Sequence, residues 1–256
     1  MKRKAPIVIM CIFIFIFGIV ASFCLAETVK LEIPSGAKIQ YDYYKSSLGG
    51  KRPVVLLLPG LSGLRNRSLT EQITGFAKGL NKKYDFNALI VDYRGKTNEE
   101  MFQIVRKEGG SITLVEQEVA TALDYLRKQE NVDGEKIGVV GFSLGTVVAI
   151  RTAAREDSVK AMGLVSLIVG PDETDETFKS DFSRCANRPM LFIAAKDDYV
   201  DPQKKTNAAK NALYWSQQAK GSTKVEIVKG SKHASELLDI GEIREMIGEW
   251  FKANLP

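Results

Sequence analysis

From about residue 54 onward the chain alternates short apolar runs of strand length with longer stretches of helical spacing. The runs are Val54 to Leu58, Ala88 to Val91, Ile137 to Val140, Ala161 to Leu167, Met190 to Ala194 and Val225 to Val228. None shows strict apolar–polar alternation, as expected of strands whose two faces both meet other protein. Between them, Leu114, Val115, Val119, Ala122, Leu123 and Leu126 recur at helical spacing within Ile112 to Lys128, and Glu236 to Phe251 reads as another helix. Strand and helix in alternation predict a mainly parallel sheet wrapped by helices. Ahead of this region, Val29 to Ile33 and Lys38 to Tyr44 do alternate, around Pro34-Ser35-Gly36, and predict an opening antiparallel hairpin.

No repeat, charge block or low-complexity linker divides residues 27 to 256, so a single domain is expected there. The segment before it has another character. Lys2, Arg3 and Lys4 precede an almost unbroken apolar stretch from Ile7 to Val20, then small residues ending in Cys24-Leu25-Ala26. Residues 1–26 therefore read as a secretory signal peptide cut after Ala26, which places the protein in the periplasm or outside the cell. The alternative is an uncleaved anchor, since residues 5–26 are long enough to span a bilayer. Lipid attachment at Cys24 fits poorly, because the preceding Phe23 is large where a small residue is wanted.

Hydrophobic content of 45% and charged content of 26% over 256 residues describe a globular chain with one full core. Lys2, Arg3 and Lys4 are three of the 36 basic residues, and none of the 31 acidic ones precedes Glu27, so loss of the leader lowers the formal charge from +5 to +2. A nucleic-acid partner loses its electrostatic support. Cys11 and Cys24 fall in the leader, leaving Cys185 with no partner for an internal disulfide; a small buried hydrophobe is its expected role.

In a parallel sheet, ligands gather beyond the carboxyl ends of the strands, where the loops face a common crevice. Four loops there carry chemistry. The first is Gly141-Phe142-Ser143-Leu144-Gly145, where the strand from Lys136 turns abruptly into a helix running through Val147 to Arg155. Such a turn strains the serine backbone and projects its hydroxyl, with flanking glycines relieving the crowding. A dinucleotide or phosphate loop is rejected by spacing: Gly138, Gly141 and Gly145 do not form Gly-x-Gly-x-x-Gly, and no Gly-Lys-Ser/Thr follows a suitable loop. The second is Pro59-Gly60-Leu61-Ser62-Gly63, where Leu61 is placed to aim its backbone N–H at the same point as that of Leu144, as an oxyanion hole. The third, after Met190 to Ala194, holds Asp197, Asp198 and Asp201, any one of which is suited to orient an imidazole. The fourth, after Val225 to Val228, carries His233, the chain's one histidine. A serine hydroxyl needs a base to take its proton, and His233 is the one imidazole that can serve.

Together these residues resemble the α/β-hydrolase superfamily over residues 27 to 256, and in particular its compact dienelactone-hydrolase-like and esterase-like members. Asp92-Tyr93-Arg94-Gly95 and Gly230-Ser231-Lys232-His233 add to the similarity. The resemblance implies an α/β-hydrolase fold with Ser143 as nucleophile, His233 as general base then acid, and Leu61 with Leu144 as oxyanion donors. It also favours Asp198 as the acid, four residues before Pro202, with Asp197 second. Two departures stand out: Pro59 occupies a position where many relatives have histidine, and the elbow carries serine where dienelactone hydrolases proper carry cysteine. Serine points toward ester or related acyl hydrolysis of a small-molecule acyl substrate, with no metal or organic cofactor required. The space between Leu167 and Pro189 leaves no room for a large lid. A peptidase or thioesterase of the same fold, and a binding protein without turnover, are the competing readings. The membrane enters as a partner only if the leader is retained.

Overall fold

The computed structural model describes residues 26–34, 36, 38–61, 67–93, 112–171, 176–201 and 206–255. Residues 1–25 of the expected leader (1–26), Arg94-Gly95, the segment 96–111 and Pro202 lie outside the described residues. Eight strands form one sheet in the order β1-β2-β4-β3-β5-β6-β7-β10. They are β1 (Ala26–Glu32), β2 (Lys38–Tyr44), β3 (Arg52–Leu58), β4 (Asn87–Val91), β5 (Val132–Phe142), β6 (Val159–Val165), β7 (Met190–Ala195) and β10 (Thr223–Val228). β1 and β2 make the expected antiparallel hairpin, β2 is antiparallel to β4, and every pair from β4 to β10 is parallel. A two-residue β9 (Thr206–Asn207) pairs with β8 (Tyr199–Asp201) in a small separate ribbon that periodicity does not reveal.

Among the described residues, six α-helices cover the sheet: α1 (Arg67–Tyr84), α2 (Ile112–Arg127), α3 (Leu144–Arg155), α4 (Glu176–Cys185), α5 (Ala208–Gln218) and α6 (Gly241–Asn254). Successive strand residues point to opposite faces, so each strand feeds two cores. Val54, Leu56 and Leu58 of β3 and Val139 of β5 pack with Val119 and Leu123 of α2, Val148 of α3, Phe182 of α4 and Trp215 of α5. Val55 and Leu57 of β3 and Val140 of β5 turn the other way, onto Ile73, Phe76 and Leu80 of α1 and Ile247 and Phe251 of α6. The absence of alternation in these strands is thus explained by burial on both sides.

Two boundaries differ from the periodicity. β6 ends at Val165 rather than Leu167, because Ser166 adopts φ 57 and leaves the pleat. The helix read from Glu236 is split: a 3-10 turn spans Ala234–Asp239, and α6 begins at Gly241. Cys185 is buried and unpaired at the end of α4, and burial pushes its thiol up to about 12. It is the inert small hydrophobe expected of it. Among the described residues, no helix is long and apolar enough to cross a membrane.

Candidate active site

Ser143 sits between β5 and α3 with φ 53 and ψ −115, a conformation that L-residues avoid. Four non-glycine residues among those described have left-handed φ: Asp85, Ser143, Ser166 and Ala234. Strain of this kind costs about 1–3 kcal/mol per residue and persists only where the surroundings enforce it. Three of the four converge at one place. The elbow is that tight because β5 and α3 nearly touch: a Cβ on Gly141 would lie 2.6 Å from Thr146 Cα, and one on Gly145 would lie 2.7 Å from Pro59 O. Only hydrogen fits at either position.

The structure brings together Ser143, His233 and Asp198. Ser143 Oγ lies 2.9 Å from His233 Nε2, and His233 Nδ1 lies 2.7 Å from Asp198 Oδ1. Asp198 is 1% exposed, whereas 37% of the His233 side chain faces solvent, so the imidazole is open to the crevice and the carboxylate beside it is not. Of the competing acids, Asp197 is exposed and Asp198 is the one turned inward to the ring.

Each loop is fixed by backbone pairing. After β7, Lys196 N–H donates to Val228 O and Asp197 N–H to Gly230 O, tying the acid loop to the histidine loop. Asn207 caps α5 through Lys210 N–H and also donates to Lys196 O, while Ala208 N–H donates to Asp198 O. The turn toward His233 passes through Gly230 at φ 100, and Glu236 accepts from the His233 backbone N–H at 2.9 Å. Leu61 follows Gly60, whose absent Cβ would lie 3.2 Å from Ser143 Cβ, so the loop after β3 runs directly over the Ser143 side chain. Leu144 opens α3, where a backbone N–H has no intrahelical acceptor. Ser62 to Asn66 fall outside the described residues.

One residue of this constellation escaped the sequence reading. Ser166, fully buried just past β6, donates to Asp198 Oδ2 at 2.6 Å and accepts from Ala234 N–H at 2.8 Å. The available signal was a hydroxyl within the apolar run Ala161 to Leu167. No group of three or more His, Cys, Asp or Glu side chains arranged for a metal occurs among the described residues.

A mostly parallel sheet in this strand order, with the elbow after β5 and the histidine after β10, defines an α/β-hydrolase fold. The chain belongs to the Dienelactone hydrolase family, whose profile matches residues 43–235. A probable 2-oxo-3-(5-oxofuran-2-ylidene)propanoate lactonase of Bradyrhizobium sp is 24% identical over 194 residues, covering 72% of this chain and 74% of that protein. The crystal structure of a dienelactone hydrolase from Anabaena variabilis superposes with TM-score 0.67 at 19% identity, over 90% of this chain and 98% of that one. The esterase Pf2001 of Pyrococcus furiosus gives TM-score 0.66 at 15% identity, over 90% and 93%. These two share the fold with this chain, and the family makes it a hydrolase.

Proposed function

We propose that this protein is an exported serine hydrolase that cleaves carboxylic esters of small molecules through an acyl-enzyme. One observation carries the reading: a strained serine hydroxyl within 2.9 Å of the chain's sole imidazole, itself 2.7 Å from a buried carboxylate. The ionised carboxylate can only accept, so the proton of His233 sits on Nδ1 and Nε2 presents a lone pair to Ser143. Ser143 Oγ bonds to the substrate carbonyl carbon as its proton passes to Nε2, and the carbonyl electron pair moves onto oxygen. Leu61 and Leu144 N–H groups receive that oxyanion, with the N-terminus of α3 adding a favourable dipole. Collapse expels the alkoxide, which takes the proton from Nε2. Water then attacks the acyl carbon, loses its proton to Nε2, and Ser143 leaves with that proton restored.

Serine at the elbow supports ester chemistry, and the Bradyrhizobium relative is named as a lactonase, whose substrate is a cyclic ester. Labelling with a fluorophosphonate followed by peptide mapping tests the assignment. Modification of Ser143 in the wild type, lost in His233→Ala together with turnover of a short aryl ester, is the expected result. Full activity in His233→Ala refutes the mechanism. Export is tested separately by sequencing the mature N-terminus, expected at Glu27.

A further inference from the structure

We infer that Ser166 is a positioning residue of this site, its hydroxyl locking the acid and the base to each other by bridging the Asp198 carboxylate and the peptide N–H that follows His233. The inference rests on the serine-hydrolase reading above. Asp198 Oδ2 is an acceptor that cannot donate, and Ala234 N–H is a donor that cannot accept. A group set between them must do both. A hydroxyl can, and because its oxygen takes the Ala234 proton at 2.8 Å, its own proton is committed to Asp198 at 2.6 Å.

The result is a closed circuit. It runs from the Ala234 N–H through Ser166 to one carboxylate oxygen, from the other oxygen to His233 Nδ1, and back along the chain from His233 to Ala234. Within that ring the carboxylate cannot swivel without breaking one bond, and the histidine loop cannot retreat without breaking another.

The backbone around Ser166 extends the same function. Ser143 N–H donates to Val165 O at 2.9 Å, and Ser166 N–H donates to Ile193 O at 2.8 Å, on the strand that delivers Asp198. Asn211 then pins the following residue through Leu167 O at 2.9 Å. The end of β6 therefore touches nucleophile, acid strand and base loop within three residues. An extended Ser166 would continue the pleat; its φ of 57 is what breaks away from it. Strain at a fully buried serine is retained here where the hydroxyl meets the site.

Ser166→Gly is the informative variant, because glycine adopts that φ freely and only the hydroxyl is lost. Ser166→Ala keeps the strain and serves as a second test of the same hydroxyl. With active enzyme counted by exhaustive fluorophosphonate titration, both variants are expected to lower kcat about 10- to 100-fold, the value of one hydrogen bond to a charged group, with KM within about twofold of wild type. The rate constant of fluorophosphonate labelling should fall in parallel. Wild-type kcat in Ser166→Gly, with at most a changed Tm, would make Ser166 a satisfier of a buried N–H and nothing more, and overturns the proposal. Failure of wild-type Ser143 to label, or full activity in His233→Ala, strikes the underlying reading instead, and the proposal falls with it.

Discussion

Gly145→Ala converts the closeness of the elbow into a measurable quantity. A Cβ at this position would stand 2.7 Å from Pro59 O and 2.8 Å from Leu58 C, with Leu58 O closer still, all of them backbone atoms that cannot rotate aside. Real Cβ contacts essentially never fall under 3.0 Å. The first turn of α3 must therefore withdraw from the end of β3 by about 1 Å, and a shift of that size in a reacting group costs about 100-fold in rate. Ser143 lies two residues before the methyl, and Leu61 lies three residues beyond Leu58, so the proposed nucleophile and the proposed oxyanion loop are driven apart together. Stability should fall less. Overpacking costs about 1–3 kcal/mol, offset by about 1 kcal/mol of helix propensity when glycine becomes alanine. The matched control is Gly75→Ala in α1, where nothing lies within 4 Å of the added methyl and a gain of about 0.5–1 kcal/mol is expected. Urea unfolding and kcat/KM on an aryl ester measure both effects. A Gly145→Ala protein that keeps activity within threefold of wild type would refute the argument that this contact sets the geometry.

Two further outcomes follow from the described contacts. In Asp198→Asn, the Ser166 proton claims the amide oxygen and turns the NH2 toward His233 Nδ1, which drives the ring proton to Nε2, where it blocks acceptance from Ser143; kcat should fall about 10,000-fold with the circular dichroism unchanged, and a loss below tenfold contradicts the tautomer argument. At alkaline pH, burial raises Cys185 and Tyr43 each to about 12 from 9.0 and 10.0, so the unfolded chain releases these protons first and stability declines as pH rises from about 9 toward 12, by up to about 1.4 kcal/mol per pH unit for each group. Denaturant midpoints across that window check the slope, and Cys185 should resist alkylation at pH 8 until the protein is unfolded.

What the sequence disclosed was whatever is local or periodic. Doubly buried strands such as Val54 to Leu58 announce themselves by lacking alternation, and the elbow is legible because its glycines and serine crowd within five residues. The choice among Asp197, Asp198 and Asp201 depended on a resemblance, since which carboxylate turns inward is decided by contact with a ring 35 positions further along. Ser166 was hidden for the same reason. Its partners are 32 and 68 residues away, and a single hydroxyl in an apolar run resembles any tolerated core serine. The break in the last helical stretch was likewise invisible, because it comes at Ile240, which turns to φ −82 and ψ 108 between the 3-10 turn and α6 with no glycine or proline at that residue to mark it.

The register of the N-terminal hairpin has a practical corollary. Ala26 pairs with Tyr44, Tyr44 with Ala88 and Ala88 with Val55, which sets the start of the edge strand level with the amino ends of the parallel strands, while Ser143 lies past their carboxyl ends. A linkage made at Glu27, the residue after Ala26 and the expected mature start, whether to a bead, a carrier protein or a lipid, thus attaches by the far rim and leaves the reactive end turned toward the bulk liquid.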